Sequence, residues 1–147
     1  MNFRFTDSRN ITRTRSLTEA VFHVLAEIYR HSPWSRDQIM SDLSRPETCY
    51  FLVYDEKQLI GFLATQTIID ELEITNLAII SNYRRQGLAE QLLHNLAGFH
   101  GTLFLEVREG NLPARQLYEK CGFAQFNRRK DYYANPSEDA LLLRKTQ

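Results

Sequence analysis

A chain of 147 residues with 43% hydrophobic and 12% aromatic content has apolar material for one sizeable core and too little length for two comfortable domains, so a single domain over 1–147 is expected. Eighteen basic and eighteen acidic residues cancel to a formal net charge of zero, which excludes a global field drawing the protein to nucleic acid or an anionic membrane. The opening MNFRFTDSRN lacks the apolar core of a secretion signal, no run nears the ~20 apolar residues of a bilayer span, and Cys49 and Cys121 fit neither a CxxC nor a metal-ligand spacing; a soluble protein of the reducing cytoplasm is the expectation.

After a short extended segment at Phe3 and Phe5, the helical spacing of Leu17, Val21, Leu25 and Ile28 predicts a first helix that Ser16 or Thr18 can cap. Ser35, behind Pro33 and Trp34, can cap a short second helix through Ile39, Met40 and Leu43 that stops before Pro46. The β-branched and aromatic stretches 49–54 and 59–69 flank the polar run Asp55-Glu56-Lys57-Gln58 and predict a hairpin. Strict alternation over 71–80 predicts a long strand, with Leu72, Ile74, Asn76, Ala78 and Ile80 on one face and Glu71, Glu73, Thr75, Leu77 and Ile79 on the other. A turn at 81–86, a helix over about 87–99, a strand at 103–107 and a helix over about 112–121, ended by Gly122, come next. Two last strands are expected near 123–126 and 141–143. Helices set among mostly consecutive strands make an α/β fold with a mixed, largely antiparallel sheet.

The run Arg84-Arg85-Gln86-Gly87-Leu88-Ala89 stands between the long strand and an amphipathic helix, where N–H groups at a helix start can bind an anion. Gly87 lets the backbone approach a pyrophosphate, the helix dipole favours negative charge there, and Arg84 and Arg85 add positive charge. Taken alone, such a glycine reads more readily as a tight turn.

In context the run resembles the Q/R-x-x-G-x-G/A acyl-coenzyme-A signature of the GNAT superfamily, with Ala89 at its last position. The resemblance extends over nearly the whole chain to the bacterial ribosomal-protein-alanine N-acetyltransferases. It is carried by Pro33-Trp34-Ser35, by Asn76-Leu77-Ala78-Ile79 leading into Tyr83, by Leu105-Glu106-Val107-Arg108 with Asn111, by Leu117-Tyr118-Glu119 with Gly122-Phe123, and by Asp131-Tyr132-Tyr133 with Glu138-Asp139-Ala140. It implies the GNAT fold and transfer of an acetyl group from acetyl-CoA to the N-terminal α-amine of a protein, an N-terminal Ala on a small-subunit ribosomal protein being the acceptor. No metal, nucleic acid or membrane enters that chemistry. By the same resemblance Leu77, Ala78 and Ile79 offer main-chain contacts to the acetyl group and pantetheine arm. Arg85, Gln86, Gly87, Leu88, Ala89 and Glu90 hold the pyrophosphate, and Asn111 touches the cofactor. Glu106 is the general base and Tyr118 the general acid.

The residues themselves bear on these roles. An α-amino group with a pKa near ~8 is mostly protonated at neutral pH and must lose a proton before it attacks a thioester. Glu106 is the lone carboxylate of an apolar strand, where burial would raise its pKa toward the working range; the alternative is an ion pair with an Arg at the sheet end. Tyr118 can protonate the departing thiolate, or it is a core aromatic beside Leu117. A distortion of the strand near Leu77, Ala78 and Ile79 would leave an N–H for the oxyanion. Glu71 and Glu73 are reserve bases or a solvated strand face.

Tyr132, Tyr133 and Trp34 can wall a slot for an extended peptide N-terminus, with Asp131, Glu138 and Asp139 attracting a basic tail; aromatic filler and a solvated loop are the alternative. His23, His31, His94 and His100 show no ligand spacing. Cys121 reads as a buried, inert thiol. Two rival readings share parts of this pattern. A GNAT enzyme for small amines or lysine side chains is disfavoured by Leu105-Glu106-Val107-Arg108 and Tyr132-Tyr133. A non-catalytic acyl-CoA-binding domain is disfavoured by the joint presence of Glu106 and Tyr118.

Overall fold

The computed structural model describes residues 2–11 and 14–147. Among them the alternating and helical patterns become seven strands and four α-helices: β1 (Phe3–Asp7), α1 (Thr14–Ile28), α2 (Arg36–Leu43), β2 (Thr48–Asp55), β3 (Gln58–Ile68), β4 (Glu71–Ile79), α3 (Leu88–His94), β5 (Thr102–Arg108), α4 (Leu112–Lys120), β6 (Ala124–Tyr133) and β7 (Glu138–Thr146). The sheet order is β1-β2-β3-β4-β5-β7-β6. β4 and β5 run parallel, while β1–β2, β2–β3, β5–β7 and β6–β7 are antiparallel, so the sheet is mixed and largely antiparallel. The parallel pair needs a crossover connection, and α3 lies in it.

The chain divides into two compact units, one of residues up to Gln66 with Asn76–Ala97, the other of Thr67–Thr75 with Gly98–Gln147. In the first, α1 packs on α2, and Val21, Val24, Leu25, Ile39, Leu52, Ile60, Phe62, Leu63 and Leu92 are fully buried. Each such side chain contributes about 1.5–3 kcal/mol of burial. Ser35 caps α2 as expected, accepting from Gln38 N while Gln38 Oε1 accepts from Ser35 N, a reciprocal capping box. The hairpin turn is tighter than the polar run implied: Asp55 and Gln58 pair with each other, which leaves Glu56, at φ +54°, and Lys57 to turn the chain. Gly61 is required by close approach, since a Cβ there would strike Ile79 Cδ1 and stand 2.9 Å from Ala78 O.

In the second unit, β5 pairs with the early part of β4, Glu71 opposite Thr102 and Glu73 opposite Phe104. Leu103, Leu105 and Val107 are buried and the alternate residues of β5 are not.

Three sequence expectations about boundaries need correction. α1 starts at Thr14, so Ser16 and Thr18 lie inside it and neither caps it; Thr18 Oγ1 instead donates to Thr14 O at 2.8 Å. α3 ends at His94 rather than 99, because Asn95, Leu96 and Ala97 donate three residues back rather than four and tighten the chain out of the α-helix. The last two strands are far longer than 123–126 and 141–143, since main-chain pairing carries β6 through residues that no apolar alternation marks.

Candidate active site

The first unit holds the glycine turn. Ile80 is followed by a short 3-10 turn, Ser81–Tyr83. Tyr83 anchors it by donating from Oη to Asp55 Oδ2 at 2.6 Å, a bond that also raises the Tyr83 phenol above its usual range. Arg84 Nε donates to Ile79 O at 3.3 Å, tying the turn to the end of β4. Arg85 at φ +63° and Gly87 at φ +76° are both left-handed, the backbone from which anion-binding concavities are built. A Cβ at Gly87 would meet nothing within 4 Å, so the glycine serves the backbone angle rather than space at this position. Leu88 is buried, Ala89 and Glu90 are half-buried, and Arg84, Arg85, Gln86 and Gly87 are exposed. Just before the turn, Ala78 and Ile79 are buried and Leu77 half-buried.

Trp34 is half-buried in the loop between α1 and α2, where Ser32 Oγ donates to its carbonyl at 2.6 Å. In the same unit, Asp42 of α2 accepts from Tyr50 Oη at 2.5 Å, Gln66 Nε2 at 3.0 Å and Thr48 Oγ1 at 3.1 Å. Burial first, and then the bond to Asp42, push the Tyr50 phenol far up. Nothing in the local sequence pattern signals this network, because its members come from three different elements.

The second unit gathers carboxylates, arginines and tyrosines. Glu106 of β5 is 28% exposed at its side chain, and Arg129 Nη1 of β6 lies 3.4 Å from its Oε1. Of the two environments weighed for Glu106, the partnered one is observed, with an arginine at hand rather than a purely apolar pocket. Glu73 keeps contact with solvent, yet the surrounding strands remove enough water to raise its carboxyl above the usual range. The charge of Glu106 adds to the rise and Arg129 opposes it. Tyr132 and Tyr133 meet edge to face at 5.2 Å. Arg108 lies 4.0 Å over the Tyr133 ring and Arg129 5.2 Å over that of Tyr132. Burial and then the negative charge of Glu106 raise the Tyr133 phenol, with Arg108 acting against them.

The three acids expected to draw a basic tail already have partners. Glu138 pairs with Arg108 at 3.1 Å and accepts from Gly110 N at 2.7 Å. Asp139 accepts from Asp131 N at 2.8 Å and pairs with Arg128 at 2.7 Å, and these two contacts hold its carboxyl below the usual range. Asp131 accepts from Ser137 Oγ at 2.9 Å.

Tyr118 is buried on α4 with its ring edge-on to Phe123 at 5.7 Å. Asn111 is exposed and caps α4, its side-chain oxygen accepting from Ala114 N at 3.3 Å. The four histidines are exposed, and the described residues contain no group of three or more His, Cys, Asp or Glu placed to hold a metal ion. Cys121 is half-buried rather than buried as expected. No helix among the described residues is long and apolar enough to cross a membrane. Sequence reasoning named Arg108 only within a motif and passed over Arg128 and Arg129, whose signal was the charge run around positions 128–131, which by itself reads as a solvated strand.

Comparison with known proteins adds the decisive observation: residues 14–123 match the model of the acetyltransferase (GNAT) family. The chain belongs to that family. This acetyltransferase is 39% identical over 120 residues to the [ribosomal protein bS18]-alanine N-acetyltransferase of Haemophilus influenzae, covering 76% of this chain and 80% of that one. It is 34% identical over 140 residues to the enzyme of the same name from Haemophilus ducreyi, covering 87% and 95%. The crystal structure of the ribosomal-protein-S18-alanine N-acetyltransferase from Escherichia coli superposes with a TM-score of 0.84 at 28% identity, over 99% of the acetyltransferase described here and 94% of the E. coli chain.

Proposed function

We propose that this acetyltransferase, acting as one catalytic domain over 1–147 in the cytoplasm, moves an acetyl group from acetyl-CoA to the α-amine of a protein that begins with Ala, a bS18-type ribosomal protein being the acceptor. The observation that carries the reading is the cluster of Glu106 with Tyr132 and Tyr133, linked through Arg129 and Arg108. A carboxylate beside aromatic rings suits an N-terminal ammonium and the main chain behind it. The names of the relatives support the acceptor class.

In this reading the turn at Arg85, Gln86 and Gly87, with Leu88, Ala89 and Glu90 at the start of α3, holds the pyrophosphate, and exposed Arg84 and Arg85 suit a dianion. Leu77, Ala78 and Ile79 offer main-chain groups to the acetyl and pantetheine portions, Asn111 adds a contact to the cofactor, and Trp34, Tyr132 and Tyr133 are each assigned to the peptide. Glu106 takes the proton from the α-ammonium, directly or through water. The neutral nitrogen attacks the thioester carbonyl carbon, the carbon–sulfur bond breaks, Tyr118 protonates the departing sulfur, and the second proton that the new amide nitrogen sheds returns to the Tyr118 phenolate through water. A second candidate for the base is Glu73, whose raised carboxyl is matched to proton transfer nearer neutral pH.

Thiol release from acetyl-CoA tests this with free-Ala peptides, the same peptides blocked at the N-terminus but carrying an internal Lys, and small amines. Turnover should be confined to free-Ala peptides and fall by about 10²–10⁴ in Glu106→Gln. Full activity of that variant, with loss in Glu73→Gln, moves the base to Glu73. Turnover only on small amines or Lys defeats the acceptor assignment.

A further inference from the structure

Glu106 and the Tyr132 ring together form the surroundings in which proteins hold an ammonium, a carboxylate for its charge and a π face for the cation. In this structure the chain supplies its own cation there. Resting on the reading of Glu106 as the base, we propose that Arg129 occupies the place on Glu106 that the acceptor's α-ammonium takes during turnover, so that Arg129 must be displaced and thereby helps select which amines are accepted.

Three arginines stand on β5 and β6 around this place, and they are held very differently. Arg128 makes two contacts at 2.7 Å, to Glu109 and Asp139. Arg108 pairs with Glu138 at 3.1 Å and lies 4.0 Å over Tyr133. Arg129 has an ion pair of 3.4 Å, a ring contact of 5.2 Å and a side chain 52% exposed. Charge-assisted bonds run near 2.7–2.9 Å and cation–π contacts weaken toward ~6 Å, so Arg129 is the most loosely held and has solvent to move into.

The exchange is one cation for another. Arg129 leaves Glu106 with its proton count unchanged, the α-ammonium takes its place, and only then does a proton pass from nitrogen to the carboxylate. Glu73, whose carboxyl senses both Glu106 and Arg129, would otherwise face a second negative charge without compensation. A neutral acceptor brings no replacement charge. A small amine brings the charge but no peptide backbone whose hydrogen bonds offset the displacement.

The test is steady-state kinetics of the full chain at saturating acetyl-CoA, with a free-Ala peptide, with propylamine, and with methylguanidinium as a competing cation. In Arg129→Gln the peptide KM should fall by about threefold to tenfold, the scale of one exposed ion pair plus one cation–π contact, with little change in kcat. The kcat/KM for propylamine should rise more than that for the peptide. Methylguanidinium should compete with the peptide more strongly in this variant than in the unmodified protein, and Arg129→Lys should stay close to the unmodified protein.

A peptide KM unchanged or raised in Arg129→Gln, or equal inhibition by methylguanidinium in both proteins, overturns the proposal. If Glu106→Gln is inactive in that case, only the role of Arg129 has failed. Wild-type kcat in Glu106→Gln removes the base assignment and this proposal with it. Loss of the folded state in both Arg129→Gln and Arg129→Met marks Arg129 as structural and equally overturns the proposal.

Discussion

β3 and β6 are eleven and ten residues long, but seven consecutive residues of β3 are buried, whereas the first nine of β6 are exposed. β3 carries Ile60, Phe62 and Leu63 at zero exposure, so its place depends on apolar side chains covered on both faces. β6 keeps its place through main-chain pairing to β7 and through arginine contacts such as Arg128 with Asp139. The difference separates a strand held by apolar packing from one held by main-chain pairing and charge. The strand with almost no apolar burial is the one that brings Arg129, Tyr132 and Tyr133 to Glu106.

Substitutions can break or sharpen that contrast. Phe62→Ala should be the most damaging, about 3–5 kcal/mol in urea unfolding, from lost transfer energy plus a cavity; a loss under about 1 kcal/mol would dissolve the contrast. Tyr50→Phe deprives Asp42 of its shortest donor and should cost about 1.5–3 kcal/mol, the range for a hydrogen bond to a charged group. Gly87→Ala meets no steric obstacle but must hold a left-handed backbone, so about 1 kcal/mol is expected, with a raised KM for acetyl-CoA. The smallest loss belongs to β6. Arg128→Gln should lower the melting temperature less than any of these, and its effect should shrink further in 1 M salt.

Asp139 adds a dependence on pH to the same strand pair. Its carboxyl is depressed in the folded protein, by the Asp131 N–H first and Arg128 second. The stabilisation is therefore complete above the ordinary carboxylate pKa of ~3.9 and is lost as pH falls through the lower folded value. Melting curves between pH 6 and 2 should show that loss. It should shrink in Arg128→Gln and vanish in Asp139→Asn; an unchanged acid limb in Asp139→Asn would remove the assignment.

The contrast also explains what could be read from residues alone. β4 was legible because Leu72 and Ile74 alternate with exposed Glu71 and Glu73, and α2 because Ser35 stands ahead of Ile39, Met40 and Leu43. The start of α1 was not, since Thr18 looks like a cap but satisfies itself by donating to Thr14 O. Most of β6 was invisible because exposed strands held by cross-strand ion pairs carry no apolar period. The glycine turn was legible from Gly87 and its flanking arginines. An arginine beside Glu106 was one of two readings, but which arginine was not legible, because Arg129 reaches it from a strand distant in sequence. Charge alone does not say which acid an arginine will meet.

The ends of the sheet order, β1 and β6, leave main-chain groups open to a strand from another molecule, the usual seed of aggregation. β1 is only five residues long, a small template. β6 is twice that length, but its pairing with β7 is irregular at two places, and Arg128, Arg129, Lys130 and Asp131 stand along its exposed course. A strand added there would have to follow a bent edge and bring neighbours that tolerate three cations in a row. Charge crowded along this edge makes it a poor template for a strand from another copy.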